Sequence, residues 1–97
     1  MDYQENKRYK IIWLNSFKNE LSHIYNYLSN KLKEPSIANK FHSKVFKTLS
    51  TLSYLSERFP LLNHNNNIRK IPIDKYVILY TVNHNSRSSL YITHLSW

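Results

Sequence analysis

Residues 67–82 read NIRKIPIDKYVILYTV, two runs of β-branched and aromatic residues on either side of the polar pair Asp74-Lys75. Two such runs separated by a two-residue polar break are the pattern of an antiparallel hairpin. In the second run Tyr76, Ile78, Tyr80 and Val82 alternate with Val77, Leu79 and Thr81, so both faces are largely apolar. A strand of that kind belongs inside a sheet, with helices over one side. In the first run Pro72 has no amide hydrogen to donate, which favours an edge position or a bulge for the strand from Ile68 to Ile73.

The flanking sequence supplies the rest of a small α+β fold. Downstream, a polar loop from Asn83 to Ser89 holds Arg87, and SLYITHLSW closes with a final strand over Leu90 to Leu95. Upstream, Ala38, Phe41, Val45, Leu49 and Leu52 recur at helical spacing, with Phe46 and Leu55 widening the apolar stripe and Phe59-Pro60 as the expected stop. Glu34-Pro35-Ser36 separates this helix from an earlier one, and Ser36 is its expected N-cap. The earlier helix follows from Phe17, Leu21, Ile24, Leu28 and Leu32, capped by Asn15-Ser16, after a first strand over Tyr9 to Trp13. The order is strand, helix, helix, strand, strand, strand: a helical hairpin packed on a small, mainly antiparallel sheet, expected to form one domain over residues 1–97.

Composition narrows the function classes. At 41% apolar and 14% aromatic the chain has the material for a core, yet it carries fourteen Lys and Arg against six Asp and Glu, a net charge of +8. Such an excess attracts phosphate backbones, anionic surfaces or acidic protein segments. Cysteine is absent, which excludes disulfides, thiolate chemistry and zinc-thiolate sites and fits a cytoplasmic protein. The charged start MDYQENKRYK has no signal-peptide apolar region, and no apolar run approaches the roughly 18 residues that span a bilayer, so no membrane role is expected. Glycine is also absent, which rules out glycine-dependent phosphate loops and leaves turns to Asn, Asp, Ser, His and Pro.

The chemistry-bearing residues are few. The six acids are dispersed, so no paired-carboxylate or Ser-His-Asp constellation can be assembled. His23, His42, His64 and His84 lack metal-ligand spacing, and neither a metal nor another cofactor is expected. His94, on the last strand, has an acid-base range near neutral pH, where an unperturbed histidine titrates at about 6.5. Arg69 and Lys70 are neighbours on one strand and project to opposite faces, so only one of them lines a main surface. Tyr91 and Trp97 are the aromatic contact candidates, and Lys31, Lys33, Lys40, Lys44 and Lys47 give the helices a basic side.

The element order, the YKIIW opening, the helix PSIANKFHSKVFKTLSTLSYLSERFP and the hairpin NIRKIPIDKYVILYTV together resemble the RelE/ParE superfamily of bacterial toxins over nearly the whole chain. The resemblance implies the toxin half of a type II toxin-antitoxin pair, neutralised by a cognate acidic antitoxin. RelE-like members are ribosome-dependent mRNA endonucleases and usually carry an arginine directly after the residue that opens the central strand. Here that position is Val77, and the YVILY spelling looks more like ParE-type toxins, which poison DNA gyrase without hydrolytic groups of their own. The resemblance to the ParE branch implies a toxin that binds its target without hydrolytic groups of its own, with Arg69 at a basic position common across the superfamily; the candidate target or antitoxin contacts read from the residues are Arg69, Lys70, Arg87, Tyr91, His94 and Trp97. The alternative is an mRNA endonuclease built on Arg69, Arg87 and His94, with ribosome-bound mRNA as target.

Overall fold

The computed structural model describes residues 8–31, 33–62, 67–83 and 88–96. Four strands make one sheet in the spatial order β1 (Lys10–Trp13), β4 (Ser89–Ser96), β3 (Tyr76–Asn83) and β2 (Ile68–Ile73). The β2–β3 hairpin turns at Asp74, whose φ of 54° is tolerated because aspartate is among the residues least penalised in the left-handed region. β1 runs parallel to β4, and the other two pairings are antiparallel. Pro72 sits on the β2 edge strand, as expected, while the bulge lies elsewhere, on β4.

Two helices, α1 (Asn15–Asn26) and α2 (Pro35–Ser50), cover one face. They run antiparallel: Tyr25 near the end of α1 meets Asn39 and His42, whereas Trp13, just before α1, meets Phe46 later in α2. Their buried residues Phe17, Leu21, Ile24, Ala38, Phe41, Val45 and Leu49 form one core with Ile71, Ile73, Tyr76, Ile78, Tyr80, Leu90, Ile92 and Leu95 of the sheet. Edge-on and tilted ring contacts, Trp13 on Phe17 at 5.2 Å and Phe41 on Tyr76 at 5.1 Å, stitch the layers together.

Three helix-end expectations are corrected. The Asn15-Ser16 cap is not used, because Leu14 occupies the cap position and the Ser16 hydroxyl donates instead to the Thr93 carbonyl at 2.6 Å. Ser36 makes no cap either; Glu34 is the cap residue and Pro35 opens the first turn, where its missing amide hydrogen costs nothing. α2 ends at Ser50 rather than at Phe59-Pro60, and a tighter turn over Thr51–Ser53 follows. Hydroxyls of Ser50, Thr51 and Ser53 each donate to a carbonyl three residues back, which offers the backbone another arrangement than a continued helix. The α2 stripe is accordingly narrower than expected, since Phe46 is 58% and Leu55 56% exposed.

α1 continues into a π-helical turn, Tyr27–Lys31, and stops at Lys33, whose φ is 56°. The Glu34 amide donates to the Leu28 carbonyl at 3.2 Å, one residue further back than the six-to-one bond of a Schellman cap, in keeping with the wider π-helical turn before it. Glycine normally holds the left-handed position, and in this glycine-free chain lysine carries it at a backbone cost of about 1–2 kcal/mol.

After the second helix, residues 54–62 form a strap from one sheet edge to the other. It begins beside β1, where the Tyr9 amide donates to the Ser53 carbonyl, and ends along β2, where the Lys70 and Leu62 amides donate to the Pro60 and Ile68 carbonyls. Two core-side residues pin it: the Tyr80 hydroxyl donates to the Ser56 carbonyl at 2.8 Å, and Arg69 Nη1 donates to the Phe59 carbonyl at 2.7 Å. Burial raises the Tyr80 phenol above its ordinary 10.0, outweighing the Phe59 backbone contact and Arg69, and burial likewise raises Tyr76, helped by Tyr27 and Asp74. Both phenols thus stay protonated in the folded chain after the unfolded chain has begun to ionise. Their stabilisation is complete below pH ~10 and disappears as pH climbs through the raised values. Urea midpoints measured from pH ~8 to ~11.5 should fall at the alkaline end, and Tyr80→Phe should flatten that fall.

Candidate interaction face of the sheet

Opposite the helices, the sheet presents a second face built by strand alternation. Pairing registers place Ile12, Tyr91, Thr81 and Ile68 in one row across all four strands. The next row is His94, Leu79 and Lys70, and beyond it lie Ser96, Val77 and Pro72. Ile12, Ile68, Val77, Leu79, Thr81 and Tyr91 are all partly exposed, whereas their core-side neighbours Ile71, Ile78 and Ile92 are buried. The result is an apolar centre with Lys70 and His94, both exposed, on either side of Leu79.

His94 reaches this face only because of the bulge. Leu90 and Ile92 point into the core, so unbroken alternation would carry residue 94 inward as well. Tyr80 pairs with Ile92 and Leu79 with His94, leaving Thr93 as the extra residue; the phase shifts, His94 turns outward and Leu95 becomes core. The first helix completes the disturbed edge: Ser16 donates to the Thr93 carbonyl, and Glu20 Oε1 accepts the Leu95 amide at 2.8 Å. Side chains one helical turn apart on α1 therefore help hold the bulge that aims His94.

The expected division between Arg69 and Lys70 is realised. Arg69 lies in register with core-facing Tyr80, its side chain 18% exposed, with Glu57 at 3.9 Å on the strap. Lys70 points to the open face and Tyr91 joins it, whereas Arg87 and Trp97 lie outside the described residues. Sequence reasoning did not single out Ile12, Ile68 or Leu79 as surface residues. Ile12 alternates with Ile11 and Trp13, and that period-two signal was the available clue.

This arrangement suits docking better than bond-breaking chemistry. Lys70 and His94 stand two strands apart, about 10 Å at the backbone, with a leucine between them. Among the described residues no His, Asp or Glu cluster could hold a metal ion, and no helix is long and apolar enough to cross a membrane. A family model described as the ParE toxin of the type II toxin-antitoxin system, parDE, matches residues 11–94, a span that takes in β2 and β3 whole and most of β1 and β4. The chain belongs to the ParE toxin family.

A solved structure agrees at the level of fold. The chromosomal ParDE toxin-antitoxin system from P. aeruginosa contains a chain that superimposes with a TM-score of 0.75 at 13% identity, covering 94% of this chain and 97% of that one. No match was found among curated proteins. The Pro72–Val77–Ser96 row puts Val77 on the open face, partly exposed.

Proposed function

We propose that this ParE-family toxin arrests growth in the cytoplasm by docking the open face of its sheet on a macromolecular target, DNA gyrase, and that a cognate acidic antitoxin neutralises it. The observation that carries this reading is the face itself: Leu79, Ile12 and Tyr91 form an apolar centre with cationic Lys70 and the His94 imidazole beside it, and among the described residues no set of acid and base groups surrounds them. Apolar centres with charged margins are the usual anatomy of protein-binding surfaces. Arg69 supports the face from beneath by anchoring the strap.

Inhibition of purified gyrase in a supercoiling assay tests the proposal. Wild-type toxin should inhibit near stoichiometry, and Lys70→Glu or His94→Glu should raise the half-inhibitory concentration about tenfold or more. Undisturbed supercoiling at stoichiometric excess would remove gyrase as the target. Codon-phased cuts found by primer extension on translated mRNA would instead favour the ribosome-dependent endonuclease.

A further inference from the structure

Where the strap leaves the second helix it borders a cavity of about 410 Å³, lined by Tyr9, Tyr54, Leu55, Ser56, Glu57 and Arg58. Core-facing Tyr80 and Arg69 hold the strap on the helix side of the sheet, so the cavity is separate from the open face. Two guanidinium groups already lie on aromatic rings at its margin: Arg8 stands 4.7 Å from the centre of the Tyr54 ring, and Arg58 stands 4.9 Å from that of Phe59. Thr51 fixes the second of them, accepting from Arg58 Nη1 at 3.0 Å. With Arg8 over its ring Tyr54 is still 57% exposed, which leaves area for another planar group. Ser56 supplies the polar signal. It is only 8% exposed, and although its carbonyl accepts from Tyr80, its hydroxyl has no partner among the described residues. Buried hydroxyls are ordinarily paired, so an unpaired one on a cavity wall points to a ligand that completes it.

We propose that this cavity binds a nucleotide, with the base laid against Tyr54 and the phosphate held by Arg8 and Arg58. The inference goes beyond the gyrase reading and does not depend on it. Charge selects the anionic end of the ligand: Arg8 and Arg58 are exposed beside the cavity, while the one acid lining it, Glu57, faces Arg69 Nη2 at 3.9 Å. The negative end of α2 does not oppose this, because the carbonyls of Lys47, Thr48 and Ser50 already accept the hydroxyls of Ser50, Thr51 and Ser53. Shape selects the planar end, since bases stack on aromatic rings and on guanidinium planes alike. A purely apolar ligand would leave the Ser56 hydroxyl unpaired, and a bare inorganic anion would leave the Tyr54 ring unused. A nucleotide answers both, and the volume lies within the range of about 300–1,000 Å³ usual for small-ligand sites. Free nucleotide and one residue of a single strand would use the same contacts.

Two probes test this on the full-length chain: adenosine monophosphate by calorimetry, and a fluorescent decamer of deoxyadenosine by anisotropy, with polyphosphate of matched charge as the competitor that has no bases. Polyphosphate should bind at least about tenfold more weakly than the decamer, because a strand adds stacking to charge. Tyr54→Ala should weaken nucleotide binding about tenfold and leave polyphosphate unchanged, whereas Tyr54→Phe keeps the ring and should stay within about twofold of wild type. Arg58→Gln should weaken both ligands and lower the salt dependence. Lys31→Ala removes a charge from the turn after α1, away from the cavity, and should stay within about twofold of wild type. Tyr54 is exposed, so the thermal transitions of its variants should match wild type and separate lost binding from lost folding. Tyr54-dependent binding of the monophosphate supports the site with free nucleotide as its ligand, and Tyr54-dependent binding of the decamer alone supports it with a single strand. Absence of binding by both probes overturns the proposal. So does equal binding of decamer and polyphosphate with Tyr54→Ala matching wild type, which would reduce the contact to net charge.

Discussion

Phe17→Ala should destabilise the folded chain by about 3–5 kcal/mol, the range for removing a fully buried phenylalanine. Phe17 has no exposed surface, lies in the core between α1 and the sheet, and meets Trp13 edge-on. A domain of this size has only about 5–15 kcal/mol in all, so the melting temperature should fall by more than about 10 °C. Phe46→Ala is the matched comparison. It removes the same kind of ring from contact with the same tryptophan, at 6.1 Å, but from a site 58% exposed, and should cost less than about 1 kcal/mol. Equal losses in chemical denaturation would contradict the burial assigned to these two rings.

Arg69→Ala should cost about 1.5–3 kcal/mol, the worth of a charge-assisted hydrogen bond, while Lys70→Ala beside it should change stability by less than about 0.5 kcal/mol. Arg69 is partly buried and donates to the Phe59 carbonyl, so its loss leaves that acceptor without its guanidinium and loosens residues 54–62. Lys70 makes its backbone bond to Pro60 through the amide, which the alanine retains. Limited proteolysis should therefore open the strap in Arg69→Ala and leave it closed in Lys70→Ala. A reversed ranking would mean that the two side chains have been placed on the wrong faces.

The contrast between Arg69 and Lys70 marks how far a sequence can be read. Alternation required them to face opposite ways, and they do. Which of the two met the core followed from Ile71 and Ile73, whose parity Arg69 shares and whose burial only the packed helices establish. His94 is the harder case. Its outward direction depends on a one-residue bulge at Thr93, maintained in part by Ser16 and Glu20 from more than 70 residues away, and no local pattern encodes such a register. Phe46 shows the converse failure. Helical spacing admitted it to the stripe, but the stripe that two crossing layers can cover is narrower than the stripe a helix can display.

The order of elements, the hairpin at Asp74-Lys75, the edge position of the proline strand and the basic character all follow from near-neighbour chemistry: side-chain branching, period, proline geometry and summed charge act within a few residues. The parallel pairing of β1 with β4, the strap pinned by Tyr80 and Arg69, the outward turn of His94 and the exposure of Phe46 arose from contacts between distant segments. Burial and register are properties of what lies opposite a residue, and the residues along the chain do not state what that will be.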